Sequence, residues 1–83
     1  MLYIIFTTDG LTEAKASIIC DQAVLWLNPE LLLESDVVEL KNAGIQIESL
    51  PEKVDASNEK AVLAAIAFVE KHSPHHEILV EYL

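Results

Sequence analysis

Three groups of residues in this chain carry side chains that could do chemistry. His72, Ser73, Pro74, His75, His76 and Glu77 bring three imidazoles and a carboxylate into one short segment. That donor set suits Zn²⁺ or Ni²⁺. Its spacing fits no standard zinc motif, and histidine at a helix C-terminus is favourable without any metal. Asp9 and Glu30 supply oxygens for a hard cation such as Mg²⁺. Asp9 serves equally well as a helix cap. Cys20 would act as a nucleophile only as a thiolate. It stands beside Asp21, near the expected C-terminus of a helix, where charge and dipole both disfavour the anion. An inert small hydrophobe is the simpler reading, and a single cysteine makes no internal disulfide. No metal, cofactor or catalytic set is therefore expected, and nothing here marks the chain as an enzyme.

The elements that position these residues are written in the hydrophobic pattern. Leu2–Thr7 and Ala23–Leu27 read as strands apolar on both faces. Ile45–Ser49 and Glu77–Leu83 read as strands that alternate. Between them lie three helical patterns. Leu11–Cys20 presents Leu11, Ala14 and Ile18 on one face. Pro29–Ala43 follows Asn28, a good N-cap, and stops before Gly44. Its inner stripe is expected to be Leu33, Val37 and Leu40, flanked by Leu32, with Leu31 and Val38 outside. The third helix, Asn58–His72, turns Val62, Ala65, Ile66 and Val69 inward.

The order βαβαβαβ predicts one small three-layer α/β domain over residues 1–83. Its four-stranded sheet should be mainly parallel, because strands joined through a helix cross over right-handedly. Strand order 2-1-3-4 is expected, with 3-2-1-4 as the alternative. In the first order, helix one covers one face and helices two and three the other. An open patch would then gather Gln46, Glu48, Leu79, Glu81 and Leu83.

Ligands of open α/β sheets sit at the carboxyl ends of the strands. That edge should collect Thr8, Asp9, Gly10, Asn28, Glu30 and Lys53. Thr7 to Glu13 resembles the phosphate-binding loop of flavodoxins at Thr8, Gly10 and Thr12, over seven residues of 83. The resemblance implies a small ligand at this edge. Asp9 departs from it, since a carboxylate there repels phosphate.

The charge narrows the partners. Fourteen acidic residues stand against five lysines, with no arginine, for a net charge of −9. Direct contact with nucleic acid or an anionic membrane is not expected, because both need Lys and Arg. Leu2–Phe6 is too short for a signal or membrane-spanning segment, which makes the cytoplasm the expected location. Yet 52% of the residues are hydrophobic, a rich core for so small a body. These features favour a non-enzymatic acidic interaction module, either a homodimer or a subunit or inhibitor of a more basic protein. A dimer should use the edge of strand four or the Leu31 and Val38 side of helix two. The alternative is a flavodoxin-like binder of a small ligand or divalent metal at the carboxyl edge.

Overall fold

The computed structural model describes residues 1–73 and 77–81. His75, His76 and Leu83, three of the residues singled out above, lie outside them. The elements run β1 (Leu2–Ile5), α1 (Thr8–Asp21), β2 (Val24–Leu27), a 3-10 turn (Pro29–Leu33), α2 (Ser35–Asn42), β3 (Ile47–Ser49), α3 (Glu59–His72) and β4 (Ile78–Val80). All strand pairings are parallel, and the sheet order is β3-β2-β1-β4.

This is the 3-2-1-4 order, not 2-1-3-4. The reason was present in the strand patterns. Strands apolar on both faces belong inside a sheet, and alternating strands belong at edges. Of the two orders, 3-2-1-4 puts β1 and β2 in the middle and both alternating strands, β3 and β4, outside. The order 2-1-3-4 would have left doubly apolar β2 at an edge.

The new order changes which helices share a face. Leu11 and Ile18 of α1 and Val37 and Leu40 of α2 pack on Tyr3, Ile5, Leu25 and Leu27. Val62, Ala65 and Val69 of α3 pack on Leu2, Ile4, Phe6 and Trp26 on the opposite face. So α2 sits with α1, and α3 stands alone. Trp26 lies under α3, only 7% exposed, with Phe68 edge-on at 5.8 Å between ring centres.

The second helical segment also differs from expectation. It breaks at Glu34, whose backbone is extended, into the 3-10 turn and α2. A 3-10 turn advances three residues per turn rather than 3.6, so the stripe shifts phase across the break. Leu31 is buried, whereas Leu33 is 94% exposed. Val38 is 55% exposed, and Val37 and Leu40 are core. The Leu31 and Val38 side is therefore not one surface: only Val38 lies open.

Local signals place the helix ends. Thr7 caps α1, its hydroxyl accepting the Gly10 N–H at 3.1 Å, and Asn58 caps α3 through the Ala61 N–H at 3.2 Å. Gly44, at φ 85°, follows α2 in the left-handed conformation that glycine tolerates best. Asn28 makes no side-chain cap, for a reason that belongs to the site.

Candidate functional site

In this strand order the chain steps from β1 to β2 and β3 on one side and then returns through α3 to β4 on the other side of β1, so the switch point lies at the carboxyl ends of β1 and β4. Glu81, just past β4, fills it. The Glu81 N–H donates to the Ile4 carbonyl at 2.9 Å, continuing the ladder. The Leu2 N–H goes to the Glu77 carbonyl, so the register would send the Phe6 N–H to the carbonyl of Glu81. The side-chain carboxylate takes it instead, at 2.7 Å. It also accepts the Thr7 N–H at 3.0 Å and the Thr7 hydroxyl. Charge-assisted bonds at a helix N-terminus favour such an anion. Gly10 makes the approach feasible. A Cβ there would fall 2.3 Å from the carboxylate carbon.

Asn28 closes the other half of the edge. It is fully buried. Its amide nitrogen donates to the carbonyls of Phe6 and Val54, both at 2.8 Å, and its oxygen accepts the Val54 N–H at 2.7 Å. Two carbonyls on one side and an N–H on the other fix the orientation of the amide. The side chain acts as one more peptide rung, tying the segment after β3 to the end of β1. It has nothing left with which to cap the helical turn that follows.

The remaining edge residues are partly engaged. The Thr8 hydroxyl donates to Glu34 at 3.2 Å, and the Thr12 hydroxyl to Asp36 at 2.8 Å. Both belong to a polar seam between α1 and α2 that Lys15 completes, 3.0 Å from Asp36 and 2.8 Å from Glu39. The Lys15 ammonium and the Thr12 hydroxyl hold the Asp36 carboxyl below its ordinary range, while Glu39 and Asp36 raise Lys15. Glu30 and Lys53 pair at 3.2 Å in the open. Asp9 is exposed. Among the described residues no group of three or more His, Cys, Asp or Glu is placed to hold a metal ion. Cys20 is free and exposed. Burial, then the hydrogen bond to Asp21 at 3.1 Å, pushes the Tyr3 phenol up.

The residues assigned to one open patch separate onto the two faces. Glu48 is the register partner of Trp26, so it and Gln46 lie on the α3 side at the β3 edge, bonded to each other at 3.2 Å. Leu79 is the partner of Tyr3, so it and Glu81 lie on the α1 side at the β4 edge. There the helix layer leaves β4 open. A groove of about 430 Å³ runs between α1 and β4. Tyr3, Ile5 and Leu79 form its floor, Asp9 and Glu13 its wall, and Glu81 its end.

Sequence reasoning missed the Glu81 latch and the Asn28 strut. One signal was available for the first: a glycine in the opening turn of a helix that needs no left-handed residue there. For Asn28 the capping reading explained the residue too readily.

No helix among the described residues is long and apolar enough to cross a membrane. The chain matches no protein-family model, no curated protein and no solved structure.

Proposed function

We propose that this chain is a non-catalytic acidic interaction module that holds a protein partner on its surface. The observation that carries this reading is the state of the switch point. The position where open α/β sheets receive ligands is filled by the chain's own Glu81, which uses the Phe6 and Thr7 donors that an anionic ligand would need. Asn28 is saturated in the same way, and the Thr8 and Thr12 hydroxyls turn to α2. What remains outside is an acidic surface carrying isolated apolar side chains, Leu33, Val38, Leu63 and Leu79. The acidic charge supports recognition of a more basic protein more readily than a reaction.

A thermal-shift screen against flavins, nucleotides and divalent cations tests this, because any ligand specific to the folded state raises the melting temperature. The expected shift is under about 1 °C for each at 100 µM. A rise of several degrees with one of them would replace this reading with the small-ligand alternative. Light scattering over a concentration series then separates the two partner classes: a second copy, or a different and more basic protein.

A further inference from the structure

Building on that reading, we propose that the groove between α1 and β4 is the docking site, and that its occupant is a lysine- or arginine-bearing segment of another protein. The open part of the floor is β4, where Leu79 stays 41% exposed beside the nearly buried Tyr3 and Ile5. The wall is acidic. Asp9 and Glu13 stand four apart on α1, so like charges face each other along one side of the groove. Glu81 adds a third carboxylate at the end, and no lysine lines the groove. Lys15, the basic residue of α1, is turned to Asp36 and Glu39 in the seam with α2.

An apolar floor beside a carboxylate wall matches the two parts of a long basic side chain. The methylene stem lies on Leu79 and the narrow exposed margin of Tyr3 and Ile5 beside it, and the charged head reaches Asp9 and Glu13. A second copy of this chain fits poorly. It has no arginine, carries −9, and would press carboxylates on carboxylates.

The probe is a fluorescein-labelled ten-residue peptide alternating lysine and leucine, titrated by anisotropy with the intact chain. Asp9→Asn with Glu13→Gln should weaken binding about tenfold. Glu52→Gln with Glu59→Gln removes the same charge elsewhere and should change it less than about twofold. Leu79→Ser should weaken binding about threefold without altering charge. Amide shifts on binding should concentrate at residues 5, 9, 13 and 79. Equal losses from both charge pairs, or shifts spread over the whole surface, would reduce the attraction to net charge and sink the groove. If the peptide does not bind and the chain self-associates with Asp9 and Glu13 exposed, the groove falls while the interaction module stands. If a small ligand stabilises the fold in the thermal screen, the module itself falls.

Discussion

Asn28 and Glu81 both end on the main chain of Phe6, one at its carbonyl and the other at its N–H. They close two halves of the same sheet edge. Asn28 serves the β2 and β3 half from full burial, with a neutral amide whose three polar bonds are all made inside the protein. Glu81 serves the β4 half from a partly buried position, with a charge and a flexible stem. The lesson is physical. Deep in the structure a strut must be neutral and completely paired, since an unpaired buried group is expensive. At an edge a carboxylate suffices, because water remains near and the helix dipole adds to its bonds.

The largest effects should come from Asn28. Asn28→Ala strands the buried Phe6 carbonyl and the half-buried Val54 carbonyl and N–H, and should cost about 3–4 kcal/mol in urea unfolding. Asn28→Asp is nearly isosteric but sets an oxygen against the carbonyls of Phe6 and Val54. The introduced carboxyl is then raised above its unfolded value of about 3.9, because the folded state resists its charge. The sign follows: the penalty is smallest below that pH and grows as pH rises through it. A penalty independent of pH between 3 and 7 would mean that water reaches this amide, and the comparison with Glu81 would lose its basis.

Glu81→Ala removes three accepted bonds, but at a half-exposed edge position where water can enter the space left, so about 1.5–3 kcal/mol is expected. Glu81→Gln should recover most of this, since its oxygen still accepts from both main-chain N–H groups. Gly10 sharpens the point through a reversal of sign. In the wild-type chain, Gly10→Ala pushes its Cβ into the Glu81 carboxylate and should destabilise by about 1 kcal/mol net, despite the gain in helix propensity. In a Glu81→Ala background the obstruction is gone. The same change should then stabilise by roughly 0.5–1 kcal/mol. A Gly10→Ala change that stabilised both backgrounds would show that Glu81 is not held as described.

Much of the fold was legible because periodicity reports burial. Doubly apolar β1 and β2, alternating β4, and the α3 stripe of Val62, Ala65 and Val69, with Ile66 half-buried beside it, appear in the structure as the pattern implies, whereas in β3 Ile47 and Glu48 are both half-buried. The strand order was legible in principle, since both alternating strands had to be edges. The phase of Leu31 and Leu33 was not legible, because nothing in three consecutive leucines reveals a 3-10 turn. The Glu81 latch was not legible either: its partners are main-chain N–H groups, which leave no mark on sequence, more than seventy residues away.

Glu48 supplies the smallest expected effect and the closest control for Glu81. Glu48 lies on edge strand β3 and Glu81 just past edge strand β4, and both are half-buried. Glu48, however, meets only the Gln46 amide at 3.2 Å and no main-chain donor. Glu48→Ala should therefore change stability by less than about 0.5 kcal/mol. The role left to Glu48 is to keep the β3 edge from pairing with other chains, which charged side chains on edge strands do. Glu48→Val should then keep or slightly raise the unfolding midpoint, because valine favours strands. It should also shift the chain toward larger species in light scattering as concentration rises. If Glu48→Ala proved as costly as Glu81→Ala, both carboxylates would be structural, and the contrast between a latched edge and a guarded one would collapse.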